Sequence, residues 1–175
     1  MSRRGQVGRK AGETLPTANS QFATAATAAG LGAQPGMSAL KGEYRQALEV
    51  RRPARFSGSV DLDEALRDSE PQAARWDYGV GVVGAVEKAF WIEPHPASST
   101  GEVQKMLNKL AWLKATLARP EFAGLLELTN RTLAEGSSAY IWLHSGANRI
   151  LPNSRDARLL ASKGLTQPKR YITLA

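Results

Sequence analysis

The strongest apolar periodicity in the chain lies between residues 100 and 120. Val103, Met106, Leu107, Leu110, Leu113 and Leu117 recur at helical spacing, with Lys105, Asn108, Lys109 and Trp112 mainly on other faces. Ser98, Ser99 or Thr100 is placed to cap the start of that helix. Pro120 opens a second helical stretch through Phe122, Leu125, Leu126 and Leu133, and Gly136 ends it. Before these helices the period changes. Trp76–Val83 alternates β-favouring residues with glycine, and Val86–Glu93 contains the apolar run Phe90-Trp91-Ile92. The two runs are close enough to pair as an antiparallel hairpin around Gly84. Pro94-His95-Pro96 ends the second run, because proline cannot donate to a ladder.

Weaker patterns complete the chain. Ser38 is placed to cap a helix running to about Val50, with Leu40, Tyr44, Ala47 and Leu48 on one side and Pro53 beyond its end. Phe56–Val60 reads as a short strand, and residues 61–68 as a helical turn or two, or an acidic loop. Ser138–His144 reads as a strand, Ser154–Lys163 as a helix stopped at Gly164, and Tyr171–Leu174 as a terminal strand. The order helix, three strands, helix, strand, helix, strand predicts an α/β fold. It is a single domain over 38–175 with a mixed central β-sheet flanked by helices. Residues 1–37 are rich in Gly, Ala, Thr and Ser and read as a disordered basic tail. That tail is acid-poor, as transit peptides are, but its glycines argue against an amphipathic helix.

Composition narrows the function. With 175 residues the chain has room for one self-supporting core. It has no cysteine, which excludes a disulfide scaffold, a Cys-based zinc site and a thiol nucleophile. Two histidines leave little for a His-built metal site. No stretch has the apolar length of a membrane span, and the chain reads as cytoplasmic. The net charge of +7 is unevenly spread. Residues 1–40 carry +3, residues 41–56 carry +3, residues 57–75 carry −3, residues 76–148 carry −1 and residues 149–175 carry +5. Clustered Lys and Arg displace phosphate counterions, so the basic segments point to nucleic acid as partner. Arg149, Arg155, Arg158, Lys169, Arg170 and, on the long helix, Lys109 are the candidate phosphate contacts.

Several motifs carry less than they suggest. Gly79-Val80-Gly81-Val82-Val83-Gly84 matches a dinucleotide fingerprint, but no buried strand precedes it and no helix follows. Its glycines fit a strand closely approached by a neighbouring element. His144 ends an apolar strand and reads as a hydrogen-bonded rim residue. Trp91 and Trp142 belong to core strands, leaving Trp112 as the candidate stacking or interface residue.

Asp77 and Glu93 form the most informative pair. One begins the first hairpin strand and the other ends the second, so antiparallel pairing brings them side by side. Two carboxylates there suit a hard ion such as Mg²⁺, which takes oxygen ligands and keeps several waters. The element order and the Asp77…Glu93 spacing, over roughly residues 38–145, resemble the PD-(D/E)xK, restriction-endonuclease-like phosphodiesterases. The resemblance implies a metal-dependent nuclease fold with Asp77 and Glu93 as metal ligands, and Glu43 or Glu49 as the acid some members carry on the first helix. Trp76 stands where the family has proline, and His95 stands where it has the catalytic lysine. Lys105 on the following helix is the better substitute for that lysine than Lys88, which faces the other side of its strand. His95 is a second candidate to orient or activate water. The expected function is a metal-dependent nuclease-like protein, or a catalytically degenerate relative that still binds nucleic acid. The alternative is a non-enzymatic interaction module or subunit of a bacterial or phage assembly, with a protein partner.

Overall fold

Alternation along the two hairpin strands sorts their side chains onto opposite faces, and the rest of the chain is distributed to cover both. The computed structural model describes residues 19–175. In chain order it comprises α1 (Gln21–Ala28), α2 (Gly42–Arg45), β1 (Leu48–Val50), β2 (Arg55–Asp61), α3 (Leu62–Leu66), β3 (Tyr78–Val83) and β4 (Glu87–Pro94). Then follow α4 (Gly101–Leu117), a 3₁₀ turn at Pro120–Phe122, α5 (Ala123–Ala134), β5 (Tyr140–Leu143), α6 (Arg155–Ser162) and β6 (Ile172–Leu174). The main sheet has the order β2-β3-β4-β5. β3 is antiparallel to both neighbours, and β5 runs parallel to β4. This is a single-domain α/β fold with a mixed four-stranded sheet flanked by helices. Among the described residues no helix is long and apolar enough to cross a membrane.

One face of the sheet carries Trp91, Tyr140 and Trp142, which pack with Phe22, Met106, Leu110, Leu113 and Leu125 from α1, α4 and α5. The other carries Tyr78, Val80, Phe90, Ile92, Ile141 and Leu143 against Leu40, Leu48 and Leu174. The hairpin, the long helix and the four elements after it match the sequence pattern. The strand called at Phe56–Val60 is β2, and Asp61 caps α3 by accepting from the Glu64 amide at 2.9 Å. Of the proposed caps for α4, Thr100 holds the N-cap position but its side chain makes no capping bond.

Two expectations are corrected. The helix predicted from Ser38 to Val50 is only the four-residue α2, followed by β1. Leu48–Val50 pairs parallel with Ile172–Leu174 near the other end of the chain. No local pattern reports a partner that distant. The second correction concerns the tail. Residues 1–18 of it lie outside the described residues, but residues 21–28 form a packed helix. Phe22 and Ala26 are fully buried. Ser20 caps α1 through the Ala23 amide at 3.1 Å. The buried Glu87 carboxylate then clamps the start of that helix, accepting from Ser20 Oγ at 2.7 Å and from the amides of Gln21 and Phe22 at 2.8 and 3.1 Å. Burial pushes the Glu87 carboxyl up, but these bonds and one from Ser57 outweigh it and hold it below the usual range. The small residues that look like low complexity are what let α1 lie close against its neighbours.

The glycines of β3 leave room for α1 at Gly81 and for the Trp91 ring at Gly79. A Cβ at Gly81 would stand 2.5 Å from Phe22 Cβ, and one at Gly79 would stand 2.6 Å from the Trp91 ring. Gly81→Ala is therefore expected to push α1 off the sheet and cost about 1–3 kcal/mol of stability, read as a lower midpoint in urea unfolding. An unchanged midpoint would show that α1 does not depend on this contact.

Candidate functional site

The register of the hairpin sets the site. Tyr78 faces Ile92, and one step further along the same register Asp77 faces Glu93. Both belong to the face covered by α4. Asp77 is partly exposed and Glu93 is fully buried. The Asp77 amide donates to Glu93 Oε2 at 2.9 Å, which fixes the buried carboxylate against the start of β3. Its other oxygen, Oε1, accepts from the Lys109 ammonium, which also donates to Asp77 Oδ1 at 3.3 Å. One ammonium touching both carboxylates brings them close enough to share a single ion.

This reassigns two lysines. Lys105, expected beside the acids, is exposed and pairs with Glu102 at 3.4 Å instead. Lys109, expected to contact nucleic acid, holds the two carboxylates one helical turn further on. Lys109 borders the buried positions Met106, Leu110 and Leu113 of α4. That boundary position lets the aliphatic stem cross apolar surface and deliver the charge beyond it. The sequence carried this signal, at i+4 from Lys105, but not the direction in which the helix would cross the sheet. Lys88 turns away, as its strand parity requires, to pair with Glu135 and the Ala175 carbonyl.

Burial pushes the Glu93 carboxyl up to about 8, against the pull of Lys109. Burial alone would lower Lys109, but Glu93 and Asp77 reverse this and hold its ammonium above the ordinary range. The folded state thus keeps a proton on Glu93 that the unfolded chain has lost. That contribution to stability is full below the ordinary value of 4.5 and is lost as pH rises toward about 8. Relative to Glu93→Gln, the wild type is expected to lose up to about 1.4 kcal/mol per pH unit across this window, measured by urea unfolding at stepped pH. A constant difference between the two proteins would show that the buried carboxyl does not titrate there.

His95 lies beside the pair without touching it. Its Nε2 is 2.6 Å from Glu102 Oε2, and its Nδ1 is 4.0 Å from Glu93 Oε1. The His95 bond holds Glu102 below the usual carboxylate range. Nδ1 is the ring nitrogen on the Glu93 side. The donor set fits a hard divalent ion: two carboxylates on adjacent strand ends, one of them partly exposed. Among the described residues no third acid, histidine or cysteine joins them in a metal-binding group, so the remaining ligands would be water.

The expected phosphate contacts are divided. Arg149, Arg155, Arg158, Lys169 and Arg170 are all exposed, and among the described residues none is in an ion pair. Arg170 lines a cleft with His95 and so reaches the rim of the site, while Arg149 is held through its backbone amide, which donates to the Ala97 carbonyl at 2.8 Å. Arg155 and Arg158 project from α6, and Lys169 precedes Arg170. No contact ties these three to the carboxylates. Glu49 sits on β1, and Glu43 sits on the short α2 at the cleft, so neither lies on a long first helix. Trp112 is taken up by the fold, its indole donating to Glu70 Oε2 at 2.7 Å. His144 lines the cleft, but its buried Nδ1 has no hydrogen-bond partner among the described residues, contrary to the expected rim bond.

Comparisons with protein-family models, with curated proteins and with solved structures give no match.

Proposed function

We propose that this protein cleaves nucleic acid phosphodiesters with a divalent ion held by Asp77 and Glu93, as a restriction-endonuclease-like enzyme. The observation that carries the reading is the convergence of Asp77, Glu93 and Lys109 at one end of the sheet. The topology supports it too: three antiparallel strands, a helical crossover, and a fourth strand parallel to the third, with the acids on the second and third. Lys109 takes the part that the resemblance gives to a lysine near the second acid. An ion such as Mg²⁺ supplies a nucleophile at neutral pH and offsets charge developing on the phosphoryl oxygens. The chain's own groups do the rest. Asp77 and Glu93 fix the reacting centre, the Lys109 ammonium offsets their charge and stands ready for a phosphoryl oxygen, and His95, oriented by Glu102, accepts a proton at Nδ1. Arg170 anchors a flanking phosphate.

A specific observation favours the alternative of a non-enzymatic binding module. Lys109 already bridges both acids, and an ion-paired cluster of this kind holds together without a metal. Incubating the full chain with end-labelled DNA and RNA in Mg²⁺, Mn²⁺ or EDTA separates the two. Ion-dependent cleavage supports the enzyme. Binding without cleavage in either ion supports the module.

A further inference from the structure

We infer that the cleft beside the carboxylate pair seats one unpaired nucleotide of a single-stranded nucleic acid, an inference that takes its ligand class from the proposed function. The cleft has a volume of about 410 Å³ and opens where β4 and β5 end. Its walls include Tyr44, His95, His144, Arg170 and Tyr171. His95 joins it to the site, since the ring's Nδ1 is 4.0 Å from Glu93 Oε1. A cleft of this volume lies at the small end of ligand-pocket sizes and matches a single nucleotide rather than a stacked pair of strands.

The walls supply what such a unit needs. Tyr171 is 72% exposed, a bare aromatic ring at the cleft beside a cationic neighbour. Single strands bind through just this pairing, with bases stacked on aromatic rings and the backbone held by positive charge. The Arg170 guanidinium donates one bond to the Gly146 carbonyl at 2.9 Å, which fixes it to the wall. Its other N–H groups meet no acid among the described residues and are free for a phosphate. Glu43 is the acid lining the cleft, so the phosphate belongs near Arg170 and away from α2. A paired strand keeps its bases inside the stack and offers only edges and phosphates. It gains nothing from the cleft, so the site selects unpaired strands.

The test is fluorescence anisotropy on the full chain in EDTA, where no turnover occurs. The probes are a labelled oligothymidylate, an oligouridylate and a duplex of equal length. Single strands are expected to bind about tenfold more tightly than the duplex at equal salt. Tyr171→Ala should weaken single-strand binding about tenfold and leave the duplex unchanged, while Tyr171→Phe keeps the wild-type affinity. Arg170→Ala should weaken binding and reduce the salt slope by about one. Both side chains are exposed, so neither change threatens the fold. A duplex bound as tightly as the single strands, or a Tyr171→Ala variant with unchanged affinity, overturns the inference. Ion-dependent cleavage with no effect of Tyr171 removes the cleft alone. Single-strand preference with no cleavage removes the nuclease reading and leaves the cleft standing.

Discussion

Glu93→Gln is expected to lower ion-dependent cleavage of labelled strands at least about a hundredfold while leaving the fold intact. The amide has the size of the carboxyl and can still accept from the Asp77 amide, so the packing around this fully buried side chain survives. What it loses is the negative oxygen that a hard divalent ion requires. Asp77→Ala should have a similar effect for the other reason, removing the partly exposed ligand through which an ion enters. Single-turnover rates in Mg²⁺, with circular dichroism as a fold control, measure both. Equal cleavage by the wild type and the two variants would remove these residues from the reacting centre.

The second large effect concerns stability. Lys109→Met should cost about 2–3 kcal/mol at and above about pH 8, where Glu93 is ionised. It leaves the fully buried Glu93 carboxylate without its cation. Lys109 itself is partly exposed, which keeps the figure below that of a wholly buried pair. Protonation of the carboxyl also limits the loss, so the penalty should shrink as pH falls and grow as it rises. In the Glu93→Gln background the same lysine substitution should cost much less, because no charge is left to strand. A double-mutant cycle by urea unfolding isolates this coupling. Equal costs in both backgrounds would show that the stability comes from the packed stem and not from the pair. Together the two experiments separate roles that one ammonium combines: holding Glu93 in the fold, and standing where a phosphoryl oxygen would arrive.

How much of this was readable depends on the distance over which each contact acts. The hairpin was legible because period-two alternation and a turn glycine are local, and its register then placed Asp77 opposite Glu93 by counting. The long helix was legible from Val103 to Leu117, for the same reason at period 3.6. The pairing of Lys109 with the two acids is not legible, because a helical wheel gives the face a residue occupies but not which end of a sheet that face will cross. The end of the Ser38–Val50 segment has a local helical pattern, but β1 owes its strand conformation to β6.

The region of α1 is ordered by distant residues. Alanine, threonine and glycine supply little apolar area, so the segment has no reason to fold by itself. Its order comes from Glu87, which offers a buried carboxylate to the first amides of α1, and from Gly81, which leaves room for Phe22. Both residues lie more than fifty positions away in the chain. By itself the sequence determined the α/β class, the central hairpin and the facing pair of acids, because each follows from periodicity over a few turns or one tight bend. Only the tertiary structure decided which lysine completes the site, that α1 belongs to the domain, and that a cleft with Tyr171 and Arg170 opens beside the carboxylates. Those features depend on how separately formed elements cross, and neither propensity nor spacing encodes that angle.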